Sequence, residues 1–273
     1  MQNDNHAAWV CQMGRLRVEW VDSIDSTNLE LMRRTELVPP GELADAVWLI
    51  AGEQTAGRGR RGKRWQSVTG GGMTASLGLE LPTGTSASLA AVPLVVGIVM
   101  AEYLNAQGLP VGIKWPNDLC VLTPDAERPF AKVGGILCEM RSHAAGARLV
   151  IGCGLNVKDW PADVLAEQPV ASLYDPQTPT DLQAMSLAIG EAIFRGSEQL
   201  LSEGFAGFAD RWAAFDLLAG RSIRIHQGET HRDGVAIGID AQGGLRVCFD
   251  DDPNRIVSLM SEQISVRPRR GGD

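Results

Sequence analysis

The order of apolar and polar positions predicts a mixed α/β part followed by a smaller all-β part. Apolar runs of strand length predict six strands, at residues 16–21, 46–51, 73–81, 111–122, 132–140 and 148–157. Apolar residues at helical spacing predict three helices, at residues 26–37, 180–201 and 205–215. Strands and helices in this order are typical of an α+β domain.

Residues 87–101 form an uninterrupted stretch without a charged side chain. A membrane-spanning helix needs about 20 apolar residues. This run is shorter, contains Pro93 and is followed directly by Glu102. We therefore interpret it as a helix that is buried inside a domain and ends near residue 106.

The pattern changes at about residue 217, where short strand-like segments replace the helices. They lie at residues 222–226, 234–240, 245–249 and 256–260, with a hairpin turn signal at residues 241–244. We therefore predict a flexible tail over residues 1–15, a large α+β domain with a mixed sheet over residues 16–216, and a small β domain over residues 217–273.

Composition narrows the class of protein and its compartment. The 273-residue chain has a formal net charge of −8 and a pI of about 5.1, which argues against a general nucleic-acid binder. Five cysteines occur without a CxxC pair, and no signal peptide is recognisable, so we predict a reducing cytoplasm. The four histidines lack the spacing of metal ligands, and no metal site is assigned.

The strongest chemical signal is a glycine- and arginine-rich loop, GRGRRGKRW, at residues 57–65. Its three glycines match the dinucleotide-binding pattern GxGxxG, but that motif opens a helix at the third glycine. Three glycines at residues 70–72 disfavour a helix here. The loop also matches GxxxxGK of a P-loop, but Arg64 stands where Ser or Thr is required. Neither nucleotide motif explains the loop.

Charge and backbone freedom favour an anion-binding role for this loop. It carries five cations within seven residues, at Arg58, Arg60, Arg61, Lys63 and Arg64. A charge run is often only a solvated surface. Cations beside glycines in an acidic protein are nevertheless suited to phosphate and carboxylate groups. We therefore favour a ligand-binding loop over a solvated surface.

The start of the first helix carries more polar residues than a helix cap needs. Thr27 and Glu30 fit the T-x-x-E capping box, which is a sufficient structural reason for both. Ser26 and Asn28 are not required for that cap, and their short side chains offer donors and acceptors to a ligand.

The segment KWPND at residues 114–118 interrupts a predicted strand. Pro116 cannot donate to a strand ladder, so the backbone must leave the sheet there. Asn117 and Asp118 are then able to face a pocket, although a simple turn accounts for them equally well.

Two further strands contain glycines that allow close approach. Lys132 begins an apolar strand, with Gly134 and Gly135 two and three residues later. A buried ammonium is costly unless it is paired, so we predict an anionic partner for Lys132. Cys153 lies in the segment GCGLNV at residues 152–157, and we interpret it as a small buried hydrophobe rather than a nucleophile.

Taken in order, these segments resemble the biotin–protein ligase family. The matching segments are STN at 26–28, Gln54 with GRGRRG at 57–62 and Trp65, KWPND at 114–118, KVGGIL at 132–137, and GCGLN at 152–156. Each is unspecific alone, but the ordered set is specific. The resemblance implies a catalytic domain similar to class II aminoacyl-tRNA synthetases over residues 16–216, and an SH3-like barrel over residues 217–273.

The resemblance also implies the reaction and its participants. The expected reaction forms biotinyl-5′-AMP from biotin and ATP, with Mg²⁺, and then transfers biotin to a lysine of a biotin carboxyl carrier domain of acetyl-CoA carboxylase or a related carboxylase. Family members that repress transcription have an N-terminal winged helix-turn-helix, and only about twenty residues precede the first matched segment here. We therefore expect no nucleic-acid and no membrane partner, while a homodimer is compatible with the resemblance.

The residue roles follow from the same resemblance. The expected catalytic residues are Lys132, Arg58, Arg60 and Asp118. The expected biotin-binding residues are Ser26, Thr27, Asn28, Gln54, Gly57, Arg58, Gly59, Arg60, Lys132 and Gly134. The expected nucleotide-binding residues are Arg60, Arg61, Trp65, Asn117, Lys132, Asn156 and Arg267.

Two other functions are considered. A lipoate–protein ligase or octanoyl transferase would share the fold, but the arginine-rich loop and KWPND resemble the biotin enzymes. A non-catalytic biotin sensor or repressor would belong to another class, and the presence of Lys132 favours an enzyme.

Overall fold

The computed structural model describes residues 9–38, 41, 44–66, 70–85, 90–158, 168–261 and 264–269. The strands are β1 (Trp9–Met13), β2 (Leu16–Ile24), β3 (Ala46–Gln54), β4 (Gly72–Pro82), β5 (Gly112–Lys114), β6 (Asp118–Leu122), β7 (Phe130–His143), β8 (Gly146–Asn156), β9 (Ser222–Gln227), β10 (Thr230–Ile239), β11 (Leu245–Phe249), β12 (Ile256–Leu259) and β13 (Ser265–Pro268). The α-helices are α1 (Thr27–Arg33), α2 (Val92–Ala106), α3 (Leu182–Glu203) and α4 (Ala206–Ala213).

The chain forms two compact units. The first comprises Met1–Ser86, Val133–Val164 and Ala171–Arg195, and the second comprises Ala87–Lys132, Leu165–Val170 and Gly196–Asp273.

A mixed sheet forms the centre of the first unit. Its strand order is β1-β2-β3-β4-β8-β7, with β2 and β3 parallel and every other neighbouring pair antiparallel. Residues 46–51 are buried at every position, which explains why this strand is a continuous apolar run rather than an alternating one.

Both faces of this sheet are covered. On one face α1 contacts β3, β4 and β8, and Leu31 of α1 packs in a core cluster with Val47, Leu49 and Val150. On the other face the fully buried Trp48 donates its indole N–H to the Ser186 carbonyl of α3, at 3.1 Å. Packing on both faces holds β3 in place, including its last residue, Gln54.

The ends of α1 are held by residues distant from each other in sequence. Ser26 is the N-cap, and its side chain accepts a hydrogen bond from the Leu29 N–H at 3.4 Å. The predicted capping box is therefore wrong, because Thr27 lies inside the helix and Ser26 supplies the cap. At the other end, the buried Arg148 of β8 donates to the Leu31 carbonyl within the helix and to the Arg34 and Thr35 carbonyls after it. Arg148 also forms an ion pair with Glu80.

The second unit contains α2, α4, the β5–β6 hairpin and a five-stranded antiparallel sheet. The sheet order is β12-β11-β10-β9-β13. Ile113 of β5 exchanges backbone hydrogen bonds with Phe215 and Leu217, at 2.7 and 3.0 Å. Trp115 donates its indole N–H to the Gly243 carbonyl, in the turn between β10 and β11, at 3.1 Å. The β-rich C-terminal segment thereby fixes the KWPND hairpin.

The structure confirms the α+β class and most predicted elements. The predicted strand 111–122 is divided into β5 and β6, because Pro116 lies in the turn between them. The prediction of a flexible tail is wrong for residues 9–13, which form β1, while residues 1–8 lie outside the described residues. Strand β13 was not predicted. The boundary between the two predicted domains and their class II synthetase-like and SH3-like character stay predictions.

The interpretation of residues 87–106 as a buried helix is confirmed for Val92–Ala106, in which ten side chains are buried; residues 87–89 lie outside the described residues. In the described part of the chain, no helix is long and apolar enough to cross a membrane. The cytoplasmic location stays a prediction.

We predict that Arg148→Met destabilises the protein by about 3 kcal/mol, because it leaves the carbonyls of Leu31, Arg34 and Thr35 and the Glu80 carboxylate without the guanidinium group. Urea unfolding followed by circular dichroism measures the change. The control is Arg195→Met, whose side chain is 75% exposed in its ion pair with Glu191; it should change stability by less than about 0.5 kcal/mol. Equal unfolding midpoints for both variants would contradict the assigned role.

Candidate functional site

A buried polar cluster lies at the start of α1 in the first unit. Gln54 accepts hydrogen bonds from the Thr27 backbone N–H at 2.8 Å and from the Thr27 hydroxyl at 3.1 Å. The Thr27 and Ser76 hydroxyls are 2.7 Å apart, and Ser76 donates to the Asn28 amide oxygen at 2.6 Å. Thr27 and Asn28 begin α1, Gln54 ends β3, and Ser76 lies within β4. The packed sheet holds these elements in place, and none of the four side chains is charged.

Asn28 joins this cluster to β7. Its amide nitrogen donates to the Leu137 carbonyl at 3.2 Å and to the Glu139 carboxylate at 3.0 Å. A Cβ atom at Gly152 would lie 2.1 Å from the Asn28 amide oxygen. Gly152 therefore has to be glycine for Asn28 to occupy this position.

The glycine–arginine loop is closed by its own backbone. The Gly59 N–H donates to the Lys63 carbonyl at 2.7 Å, and the Trp65 N–H donates to the Gly57 carbonyl at 3.0 Å. A short 3-10 helix, Arg60–Gly62, forms the tip, with Arg61 in the left-handed region at φ 56°. No α-helix opens at the third glycine among residues 57–66, which agrees with the rejection of both nucleotide motifs.

Two close contacts hold the base of this loop in the first unit. A Cβ atom at Gly57 would lie 2.5 Å from the Trp65 carbonyl oxygen, and one at Gly154 would lie 2.4 Å from the Trp65 ring. The indole therefore packs directly on the β8 backbone, and this contact needs glycine at residue 154.

An acidic residue faces the loop. Arg58, which is 42% exposed, forms an ion pair with Glu139 at 3.1 Å, and the same carboxylate accepts the hydrogen bond from Asn28. Glu139 thus connects the cationic loop with the buried polar cluster. The sequence reasoning missed Glu139 and Ser76, whereas it had identified Gly152 as a position of close approach. An acid after the apolar run of β7 was the signal that could have found the first of these.

Burial accounts for the cysteines on this sheet. Burial raises the pKa of the Cys138 thiol to about 12, although the nearby Arg60 guanidinium opposes the shift. Burial also raises the pKa of Cys153 well above its ordinary value, with a smaller contribution from Cys138. A thiol with a raised pKa is a poor nucleophile, so the interpretation of Cys153 as a buried hydrophobe is confirmed.

A second cluster, in the second unit, is built around Asp118. The Lys132 ammonium lies 2.5 Å from the Asp118 carboxylate, which confirms the predicted anionic partner of Lys132. Lys114 stands opposite Asp118 in the β5–β6 hairpin, is 5% exposed, and donates to the Gln168 side-chain carbonyl at 3.4 Å. One carboxylate therefore has two lysines beside it.

The charges in this cluster shift the pKa values of Asp118 and Lys114. Burial alone raises the pKa of Asp118, but the charges of Lys132 and Lys114 and the hydrogen bonds from Lys132 and Gln168 outweigh burial and lower it. Burial lowers the pKa of Lys114, against the attraction of Asp118. Asp118 is therefore held as a carboxylate, whereas the charged form of Lys114 is disfavoured.

Lys114, Lys132 and Gln168 of this cluster line a cavity of about 260 Å³ in the second unit. Its charged lining comprises Lys114, Lys132, Arg128, Arg224, Arg267 and Arg269, together with His226 and the single acid Glu127. Asp233 accepts two hydrogen bonds from Arg224, at 2.8 and 3.0 Å, and lies 3.7 Å from Arg269. Acids next to the cavity thus hold its cations in position, and the lining retains an excess of positive charge suited to an anion.

The structure groups the predicted site residues within each unit. In the first unit it connects Thr27, Asn28, Gln54 and Arg58 through Glu139 and Ser76, with Ser26 as the N-cap of the same helix, and it places Gly57, Gly59, Arg60, Arg61 and Trp65 in the loop. In the second unit Lys132 and Arg267 line one cavity, Asp118 pairs with Lys132, and Asn117 is half-buried in the adjoining turn.

Two of the predicted ligand-binding residues, Asn156 and Gly134, contact neighbouring segments of the first unit. Asn156, 5% exposed at the end of β8, donates to the Ala171 carbonyl at 3.4 Å. Gly134 pairs with Leu155 in the β7–β8 ladder. Lys114 and Gln168 are among the cavity residues to which sequence reasoning gave no role, although Lys114 lies in the KWPND segment.

Comparison with known proteins finds one matching family model, described as the biotin/lipoate A/B protein ligase family, over residues 20–156. The chain is 32% identical to the bifunctional ligase/repressor BirA of Escherichia coli over 247 residues, which cover 89% of this chain and 72% of that protein. It is 31% identical to the biotin–[acetyl-CoA-carboxylase] ligase of Paracoccus denitrificans, covering 81% and 90% of the two chains.

A solved structure gives the same result for the fold. The biotin protein ligase from Aquifex aeolicus, in complex with biotin and ATP, superimposes with a TM-score of 0.73 at 25% sequence identity. The alignment covers 92% of this chain and 99% of that one.

We predict that Asp118→Asn destabilises the protein by about 3 kcal/mol at pH 7, because it leaves Lys132 and Lys114 without their buried counter-charge. The folded-state pKa of Asp118 is lowered, so its contribution is complete above about pH 4 and is lost as the pH falls further. Urea unfolding of both proteins between pH 7 and pH 3 measures the difference, which should shrink only at the acidic end. A difference that is independent of pH would contradict the assigned ion pair.

Proposed function

Because the chain belongs to the biotin/lipoate A/B protein ligase family, we propose that it activates biotin with ATP as biotinyl-5′-AMP and transfers biotin to a lysine of a biotin carboxyl carrier domain. The relatives named as biotin–[acetyl-CoA-carboxylase] ligases and the neighbour that binds biotin and ATP support this assignment. The acceptor is the carrier domain of acetyl-CoA carboxylase or of a related carboxylase.

The observation that carries the proposal is the cationic cavity beside Lys132 and Asp118 in a protein with a net charge of −8. In the first step the biotin carboxylate attacks the α-phosphate of ATP, so two anions must meet. Cations that are already in position lower the barrier to such a reaction, since they need not reorganise as charge develops. We assign Lys132 to the carboxylate and the developing acyl phosphate, and Arg267 to the nucleotide phosphates.

The uncharged cluster of the first unit suits the other end of biotin. The ureido ring presents two N–H donors and one carbonyl acceptor, so its site needs both kinds of partner. Ser26, Thr27, Asn28 and Gln54 offer hydroxyl and amide groups of both kinds. Ser76 adds a further buried hydroxyl to this proposed set.

We assign the glycine–arginine loop to closure over the activated intermediate. Gly57 and Gly59 let its backbone approach a ligand, and Arg58 and Arg60 supply guanidinium groups for carboxylate or phosphate oxygens. Glu139 holds Arg58 next to the polar cluster before a ligand binds. Gly134, Arg61, Trp65, Asn117 and Asn156 stay proposed ligand contacts.

We propose that Mg²⁺ binds together with the substrate, ATP. The described residues contain no group of three His, Cys, Asp or Glu side chains fit to hold a metal ion, and Asp118 has lysines as its partners. We therefore derive no step through a protein-bound metal and treat Mg²⁺ as the counter-ion of ATP. We further propose that the five-stranded sheet is the SH3-like domain of the family and that the larger fold is class II synthetase-like.

The direct test is mass spectrometry of a carrier domain incubated with the protein, biotin and ATP. We expect a mass increase of one biotinyl group, which requires both ATP and biotin and does not occur with lipoate. Lys132→Ala should slow adenylate formation at least about 1000-fold while the protein stays folded, because the buried cation near the reacting groups is lost. Biotin-dependent exchange of pyrophosphate into ATP measures this step, and a near-normal exchange rate in a folded variant would refute the role of Lys132.

We predict that Arg60→Ala releases biotinyl-AMP into solution, since the loop then lacks one of the guanidinium groups assigned to the intermediate. Rapid filtration after mixing with labelled biotin and ATP measures the retained fraction, which should fall at least about tenfold. The control is Arg64→Ala, because the Arg64 side chain donates to the Thr55 carbonyl at 3.4 Å and is not assigned to the intermediate. Equal retention by the parent protein and Arg60→Ala would contradict the assignment.

A further inference from the structure

The use of lysine in this chain is restricted to a few positions. Of 25 cationic residues only four are lysines, at Lys63, Lys114, Lys132 and Lys158, and the other 21 are arginines. Two of these four lysines lie beside the same carboxylate, that of Asp118. Arginine stays protonated in proteins, whereas a buried lysine can lose its proton. A lysine at this position is therefore compatible with proton transfer, whereas an arginine would not be.

The two lysines differ in their partners. Lys132 forms the ion pair with Asp118 at 2.5 Å. The hydrogen bond from Lys114 goes to Gln168, a neutral side chain, at 3.4 Å, and Lys114 is 5% exposed at the wall of the cavity. Lys114 thus has a neutral hydrogen-bond partner and an almost fully buried position at the wall of a charged cavity, where a proton can be exchanged.

The charges around Lys114 act in both directions. Asp118 and Cys120 of β6 favour its charged form, whereas burial, Arg267 of β13 and Lys132 of β7 disfavour it, and the pKa is lowered as a net result. The remaining charged groups of the cavity lining are Glu127, Arg128, Arg224, His226 and Arg269. All but one of these add positive charge to the cavity or can do so.

We propose that Lys114 is the proton acceptor of the transfer step, an inference that rests on the function proposed above. The acceptor lysine attacks the acyl carbon of biotinyl-AMP, and an N–C bond forms. The bond between that carbon and the phosphate oxygen breaks, and its electron pair leaves with AMP. The proton lost by the attacking amine passes to the Lys114 Nζ atom, which becomes an ammonium and returns the proton to water in the cavity.

Asp118 is less suited to this step. The ammonium of a free lysine has a pKa of about 10.4, and the two neighbouring lysines lower the pKa of Asp118. Proton transfer to such a weak base is strongly unfavourable, whereas an amine is a stronger base than a carboxylate and accepts the proton more readily. Asp118 instead positions Lys132 and Lys114.

The test separates the two half-reactions of the enzyme. Pyrophosphate exchange measures adenylate formation, and single-turnover transfer from preformed biotinyl-AMP to the carrier domain measures the second step. Lys114→Arg keeps the positive charge but cannot accept a proton. We expect the ratio of transfer rate to adenylation rate to fall at least about 100-fold at pH 7.5. The matched control, Lys158→Arg, should leave both rates unchanged.

The pH profile distinguishes proton transfer from a structural effect. The parent transfer rate should rise with pH to a plateau, as one group loses its proton, whereas the Lys114→Arg rate should rise without a plateau. Equal losses in both half-reactions, or a parent-like plateau in the variant, would overturn the proposal. Absence of adenylation in the parent protein would instead refute the proposed function itself.

A measurement on the parent protein covers the case in which Lys114→Arg does not fold. Cyanate carbamylates neutral amines, and it is small enough for the cavity. After brief treatment at pH 7.5, peptide mass spectrometry compares the four lysines. We expect Lys114 to react faster than Lys158 and Lys63, and slower modification of Lys114 than of Lys158 would count against a neutral amine.

Discussion

The arrangement of charge around Asp118 is the interaction on which the proposed chemistry depends. A buried cation is costly without a counter-charge, and this carboxylate has Lys132 at 2.5 Å and Lys114 across the hairpin. Pro116 ends β5 and turns the chain back, which brings Asp118 opposite Lys114 four residues later. Trp115 anchors this hairpin to the turn between β10 and β11. The small β-sheet therefore supports the cluster as well as contributing Arg267 to its cavity.

The constraint in the first unit is different, because a neutral polar cluster must stay ordered while it is buried. Thr27, Asn28 and Ser76 are almost fully buried, and every unmade hydrogen bond there would cost free energy. They satisfy one another and are held by α1, whose far end depends on Arg148. Gly152 contributes by lacking a side chain, since any Cβ atom would overlap Asn28.

Acidic residues in both units hold cationic side chains in fixed positions as well as balancing their charge. Glu139 holds Arg58, Asp118 holds Lys132, and Asp233 holds Arg224. Each pair fixes a long flexible side chain that would otherwise lose conformational entropy on binding an anion. An acidic protein with locally ordered cations can in this way bind phosphates and carboxylates selectively and avoid general affinity for nucleic acids.

The sequence by itself determined the order of the elements and the positions of the chemistry, since apolar periodicity and glycine spacing are local properties of the chain. It identified Lys132 as needing an anion, because burial of the strand that begins at residue 132 is evident from its apolar run. It could not show that Asp118 is that anion, nor that Lys114, Glu139 and Ser76 belong to the clusters. Asp118 and Lys132 are 14 residues apart in the chain, and Asn28 and Glu139 are 111 apart, so the pairing of strands and the packing of α1 decide which of them meet. The capping-box prediction was wrong for the same reason. Thr27 matches a local motif, but its hydroxyl forms hydrogen bonds with Gln54 and Ser76, which only the tertiary structure brings close to it.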